Sequence, residues 1–233
     1  MTARFYVDAE FAVGQELALP AAVAHHAQRV LRLRVGERLV LFNGRGGEFA
    51  ATLLADGRAR IESFAPVERE AIIASALLQA WVAVDKLDWI VEKATELGAA
   101  RIVLLPAERS VVRLSGERLA RRLAHLRAVA EAACCQCGRN RLPTIDAAAS
   151  CAEAFANHAA ATRLLLDPDG DPLGPRLAPT ASVAIAIGPE GGFTAGERAL
   201  ALRHAWQAVR LGERVLRTET AGLAALAALT LTA

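Results

Sequence analysis

Lysine is nearly missing from this 233-residue chain. Only Lys86 and Lys93 are present, so 27 − 2 = 25 of its 27 basic side chains are arginine. Aromatic residues are scarce too, at 5%, and there are four cysteines. Three of these crowd together at Cys134, Cys135 and Cys137, which is not the pattern of a disulfide framework in a chain of this size. No stretch reads as a membrane span, which needs about 18 to 20 apolar residues; the longest uncharged tail, Thr220 to Ala233, falls short. Arg4, Asp8 and Glu10 interrupt the first apolar residues before a secretory h-region forms. The expected compartment is the cytoplasm.

Hydrophobic residues make up 54% of the chain and charged residues 22%. That balance excludes a disordered chain and favours Ala- and Leu-rich packing. At roughly 150 residues per domain, the length suits one large domain or two smaller ones. The formal net charge is only +2, a total that can still conceal a basic face.

Two regions differ in pattern. Arg38–Phe42, Glu48–Leu54 and Ala59–Phe64 read as short strands separated by Asn43-Gly44 and Asp56-Gly57, both favourable hairpin turns. They predict a small antiparallel barrel. Just before it, His25 to Arg34 carries His25, His26, Arg29, Arg32 and Arg34 with no acid among them. Beyond Pro66 the pattern changes to apolar runs alternating with helical periodicity, placing a domain boundary near Arg69: residues 1–69 and 70–233. In the second region Asp85 is expected to cap a helix whose apolar face is Leu87, Ile90, Val91, Ala94 and Leu97. Arg101–Leu105 resumes as a strand, and Ser115 or Gly116 opens a helix carrying Leu119, Leu123, Leu126 and Ala130. Further strands are expected at Arg163–Asp167, Val183–Ile187 and Ala208–Leu211, with helices from Thr194 to Trp206 and from Arg217 to the C-terminus.

Ile187-Gly188-Pro189-Glu190-Gly191-Gly192-Phe193-Thr194 is the sharpest local feature. It follows an apolar strand and precedes a helix, an arrangement in which glycines allow close backbone approach to a ligand. It is neither G-x-G-x-x-G nor a Walker A loop; by itself it also reads as a tight turn. A second polar loop, Leu211-Gly212-Glu213-Arg214-Val215-Leu216-Arg217-Thr218-Glu219-Thr220-Ala221, feeds the last helix, where Thr218 is alternatively an ordinary cap. With Leu166-Asp167-Pro168 as a third, these loops line one crevice if their strands are neighbours.

Together with Ala132-Ala133-Cys134-Cys135-Gln136-Cys137-Gly138-Arg139 and Arg4-Phe5-Tyr6-Val7, these loops resemble the RsmE family of bacterial 16S rRNA uracil-N3 methyltransferases over nearly the whole chain. The resemblance implies an α/β fold: a C-terminal SPOUT-type, trefoil-knotted methyltransferase domain with a small N-terminal PUA-like β-barrel, in a homodimer. It implies S-adenosyl-L-methionine as cofactor, held by Leu166, Asp167, Gly188, Pro189, Glu190, Gly191, Gly192, Leu211, Gly212, Leu216 and Thr218, and no metal. The partner it implies is 16S rRNA within the 30S subunit. One position departs from the pattern, since the family commonly has Glu where this chain has Cys135 before Gln136. Cys134 and Cys137 make a formal C-x-x-C with no second pair, read as structural filling.

Methylating uracil N3 requires loss of a weakly acidic proton, which leaves negative charge on the ring oxygens. Arginine has fixed donors suited to such charge. Arg217 is the first catalytic candidate, Arg4 a contributor to the same pocket if the dimer brings the N-terminus near, and Glu219 the candidate proton acceptor or relay or, equally, half of a structural ion pair. For RNA, residues 101–141 carry nine Arg against Glu108, Glu117 and Glu131, a formal +6. Arg109, Arg113, Arg121, Arg122, Arg127 and Arg139 are expected on that face, and Arg29, Arg32 and Arg34 on the barrel. Two other readings remain at this point: a knotted methyltransferase of another RNA nucleotide, and a non-catalytic RNA-binding module.

Overall fold

A computed structural model of the chain describes residues 2–174 and 181–230. The chain forms two compact units. The first takes in residues up to Glu70 together with Cys134–Leu142, and the second Ala71–Ala133 and the chain from Pro143 onward.

The first unit holds β1 (Ala3–Tyr6), β2 (Glu16–Ala18), α1 (Ala21–His25), a π-helical turn at His26–Val30, β3 (Arg38–Phe42), β4 (Glu48–Leu53) and β5 (Arg58–Ala65). Their sheet order is β1-β3-β4-β5-β2. The β3–β4 and β4–β5 pairs are antiparallel, as the hairpin turns require, with Gly44 at φ +80° and Gly57 at φ +69°. The sheet is not antiparallel throughout, because β1 runs parallel to β3. The intervening segment, which carries β2 and α1, is long enough for the crossover that parallel pairing needs. Phe5, Leu39, Leu41, Leu53 and Ile61 form the core.

Segment 134–142 joins this unit through polar contacts. Arg4 donates to Glu48 (2.6 Å), Asn140 Oδ1 (2.6 Å) and the Gly138 carbonyl (3.2 Å). Arg69 donates to Glu48 and to the same Gly138 carbonyl, and Asn140 Nδ2 donates to the Val67 carbonyl. The hydrogen bonds from Arg69 and then Arg4 outweigh burial and hold the Glu48 carboxyl down at about 2. Burial pushes the Cys134 thiol up to about 12, so this cysteine is filling rather than a reactive thiolate.

The second unit is a six-stranded sheet, all parallel, in the order β11-β9-β10-β6-β7-β8. Its strands are β6 (Ala74–Ala80), β7 (Arg101–Leu105), β8 (Thr144–Ala147), β9 (Thr162–Pro172), β10 (Ser182–Ile187) and β11 (Gln207–Arg210). Its helices are α2 (Val84–Glu96), α3 (Gly116–Cys137), α4 (Cys151–Ala156), α5 (Ala195–Arg203) and α6 (Thr218–Thr230); the last turn of α3 belongs to the first unit. The strands are apolar on both faces because helices cover both. Leu77, Ile102, Leu104, Val183 and Ile185 pack with Leu87, Ile90, Val91, Leu223 and Leu226 of α2 and α6. The alternate residues Ala76, Leu78, Val103, Ala184 and Ala186 pack with Phe155, Ala201 and Trp206.

Several elements differ from expectation. Asp85 does not cap α2: Ala83 is the cap residue, without a side-chain bond, and Asp85 already lies in the first turn, where its charge suits the helix dipole. Helix α5 opens with a capping box between Thr194 and Glu197, and its helical conformation ends before Ala205, which has φ +60°. Strand β9 continues past Asp167 to Pro172. The helix expected from Arg217 starts at Thr218; residues 231–233 of that expectation lie outside the described residues.

Candidate active site

In the second unit β11, β9 and β10 are consecutive in the sheet. The carboxyl ends of β10 and β11 therefore bring their following loops beside 166–169 of β9, where Leu166 is level with the last residue of β10 and the β9–β11 register shifts, as in open parallel sheets that bind ligands at strand ends. These three segments line a cleft of about 850 Å³. All eleven residues expected to hold a cofactor line it, as do Arg217 and Glu219.

The glycine loop is shaped by what it excludes. A Cβ on Gly188 would sit 2.9 Å from the Phe193 amide nitrogen, so only glycine lets the loop fold back on itself there. Arg109, expected to meet RNA phosphate, instead donates to the Gly191 carbonyl at 2.7 Å and braces this loop. Glu197 fixes the start of α5 and accepts from the Glu108 amide at 2.9 Å, linking the loop after β7 to the glycine loop. Below the glycines, Thr218 Oγ1 donates to the Gly188 carbonyl at 2.6 Å and accepts from Gln79 Nε2 at 3.1 Å. Thr218 is thus inside α6 as its first residue, and its hydroxyl is used across the sheet rather than as a cap.

Charge is distributed unevenly around the cleft. Arg198 is paired with Asp167 (2.7 Å) and lies 3.6 Å from Asp169, and Arg210 pairs with Glu213. Lys86, from the first turn of α2, reaches two loops at once: 3.1 Å to Glu190 and 3.5 Å to Glu219. A compact ammonium with three donors can serve two carboxylates in this way. Its hydrogen bond to Glu190 raises the Lys86 pKa. For Glu190 burial acts in the opposite sense, but hydrogen bonds from its own backbone and from Lys86 prevail and keep the carboxyl below its ordinary range. Glu219 Oε2 is buried and faces the Lys86 ammonium. Among the described residues, Arg109, Arg214 and Arg217 are the cleft cations with no acidic partner, and of these Arg109 is held by the Gly191 carbonyl. Arg217 stands immediately before α6, its carbonyl accepting from Thr220 and Ala221.

Lys86, Arg198, Arg214 and Gln79 were missed in sequence. The one available signal was Lys86 itself, a lysine in a chain that otherwise uses arginine.

The other expected residues lie outside the cleft. Arg4 is engaged within the first unit, over the Phe42 ring and against Glu48, with a side chain only 12% exposed. Arg139 is 3% exposed and paired with Glu70. The +6 of residues 101–141 is largely taken up by acids and carbonyls from elsewhere in the chain. Arg101 pairs with Asp146, Arg122 with Asp88 and Arg141 with Glu68, while Arg127 donates to the Ile145 carbonyl. Arg113 is exposed but donates to the Glu108 carbonyl. Arg29, Arg32 and Arg34 are exposed and have no acidic partner among the described residues.

A parallel α/β unit with a glycine-walled cleft at its strand ends, together with a small β-rich unit, defines a two-part protein of the cofactor-binding type. Residues 69–230 match the RNA methyltransferase domain family, and residues 19–62 the RNA methyltransferase PUA domain family. The chain belongs to the ribosomal RNA small subunit methyltransferase E family. The Synechocystis member is 33% identical, over 97% of this chain and 77% of its own. A Neisseria gonorrhoeae member solved bound to S-adenosyl methionine superposes with a TM-score of 0.92 at 35% identity, covering 98% of this chain and 97% of its own. A Legionella pneumophila chain solved with bound SAM gives 0.94 at 34% identity, covering 100% and 98%.

Proposed function

We propose that the protein transfers a methyl group from S-adenosylmethionine to N3 of a uridine in 16S ribosomal RNA, acting on 30S subunits as a cytoplasmic homodimer. The observation that carries this reading is Arg217, an arginine with no acidic partner among the described residues, just before α6 and inside a cleft walled by the loops after β10 and β11 and by 166–169 of β9. Family membership supports the reaction class. The knotted crossing implied by the resemblance belongs to the same reading. No helix among the described residues is long and apolar enough to cross a membrane.

The cleft fits the cofactor. Its volume is within the usual range of small-molecule sites. Gly192 and Gly212 line it at φ +68° and +81° with open space where a Cβ would stand, which leaves their backbone reachable. Asp167, Glu190 and Glu219 place carboxylates around a ligand that carries positive charge. When bound, S-adenosylmethionine supplies a methyl group already activated on a sulfonium.

The protein's task is alignment and charge. Arg217 stabilises the negative charge that develops on the uracil oxygens as N3 loses its proton. Glu219, whose carboxylate Lys86 holds in place through Oε2, accepts that proton. Arg29, Arg32 and Arg34 contact phosphate.

The test is to incubate the protein with 30S subunits lacking the modification and isotope-labelled S-adenosylmethionine, then identify the labelled nucleoside by mass spectrometry. Label in 3-methyluridine is the expected result. Label in another nucleoside replaces the substrate, and no label with RNA still bound leaves a binding module.

A further inference from the structure

We propose that Gln79 is a positioning residue for the cofactor, acting through the Thr218 hydroxyl to fix the Gly188 carbonyl and the first turn of α6 in one arrangement. The proposal rests on the reading that the cleft takes S-adenosylmethionine.

Gln79 does not line the cleft. It is fully buried in β6, paired in register with Ile187, the last residue of β10, which is itself level with Leu166 of β9. It therefore stands beneath the point where the glycine loop leaves the sheet, level with the start of the β9 segment that lines the cleft. The proton directions in its network are determined. The Gly188 carbonyl can only accept, so the Thr218 hydroxyl donates to it and must accept from the Gln79 amide; Nε2 also donates to the Ala80 carbonyl at 3.2 Å. Exchanging the amide oxygen and nitrogen would set two acceptors against each other at Ala80.

This amide is costly where it stands. Its Oε1 is buried and has no hydrogen-bond partner among the described residues. Leu77, Leu78 and Ala80 around it in β6 are all apolar and buried. An apolar side chain of the same length would remove the orphaned acceptor, so stability alone does not account for glutamine here. Its Nε2 does account for it. Gly188 has no side chain with which to hold its own peptide, and the Thr218 hydroxyl, oriented by Gln79, joins that peptide to the helix carrying Arg217 and Glu219.

The test uses the full chain without RNA. Cofactor affinity is measured by titration calorimetry with S-adenosylmethionine, for wild type, Gln79→Met, Thr218→Val, the double variant and Thr218→Ser, with melting temperatures alongside. Gln79→Met and Thr218→Val are each expected to weaken binding about tenfold or more. The double variant should be no more than about threefold weaker than the worse single variant, because both act through one chain of bonds. Thr218→Ser, which keeps the hydroxyl, should bind within about threefold of wild type, a rescue that a merely structural role for the side chain would not give. If Gln79→Met does not fold, Gln79→Asn replaces it, since the shorter side chain draws the amide away from Thr218; the same loss is expected. Losses that multiply in the double variant, or wild-type affinity in a folded Gln79 variant, would overturn the relay while leaving the cleft's cofactor intact. A wild-type chain that does not bind S-adenosylmethionine would overturn the reading of the cleft, and this proposal with it.

Discussion

At the scale of single residues, partners decide roles. Arg217 and Arg4 look alike in sequence, yet Arg217 is without an acidic partner in the cleft while Arg4 is committed to Glu48 and Asn140. Arg217→Ala should therefore lower kcat for methyl transfer by roughly 100-fold or more, the usual cost of removing one charge-stabilising donor. Cofactor affinity, measured by calorimetry, should change by less than about threefold; an equal loss in both would make Arg217 a cofactor anchor. For Glu48 the expected loss is in stability. Its carboxyl is depressed by Arg69 and Arg4, so its contribution is present above the unfolded value of about 4.3 and lost as pH falls towards 2. Glu48→Gln should cost about 2 kcal/mol at neutral pH by denaturant titration, with the gap to wild type closing through that acid window. A gap that stays constant to pH 2 would exclude the ion pairs as its cause.

At the scale of elements, the motifs that carry chemistry were largely legible and their surroundings were not. The strands at 38–42, 101–105 and 183–187 and the glycine loop follow from local apolar runs and turn residues, which act over a few positions. Strand β6 is set by burial in the sheet rather than by local propensity, whereas α4 carries a local signal that the sequence reading passed over, the Ser150 side chain capping the Glu153 amide; α2 begins without the expected Asp85 cap. The glycine loop supplies the prediction here. In Gly188→Ala the new methyl group meets backbone at Phe193 rather than a movable side chain, so the loop must shift. S-adenosylmethionine affinity should fall about tenfold or more, while the melting temperature moves by only a few degrees, as for modest overpacking. Unchanged affinity would show that the loop's observed shape is not the one that binds.

At the scale of the whole molecule, charge counted along the chain and charge presented in space part company. The arginine-rich run from 101 to 141 reads as a basic face, but Asp88, Asp146, Glu68 and Glu70 come from outside it to pair with its members. The cluster before β3 remains exposed, with no acidic partner among the described residues. RNA affinity should accordingly fall steeply with salt, and replacing Arg29, Arg32 and Arg34 together by Ala should reduce the log–log slope by about 2 to 3. A triple variant with the wild-type slope would remove that cluster from the phosphate contacts. The sequence by itself determined what is local or ordered along the chain: the change from hairpins to α/β pattern, the three loops, and the resemblance their spacing carries. Only the tertiary structure decided that β11, β9 and β10 are neighbours, so that those loops share one cleft, and that segment 134–142 joins the first unit. It also decided which arginines are neutralised and that Gln79, remote in sequence, lies under Thr218. Strand order and charge pairing depend on contacts between residues far apart in the chain, and neither periodicity nor local turn chemistry encodes those distances.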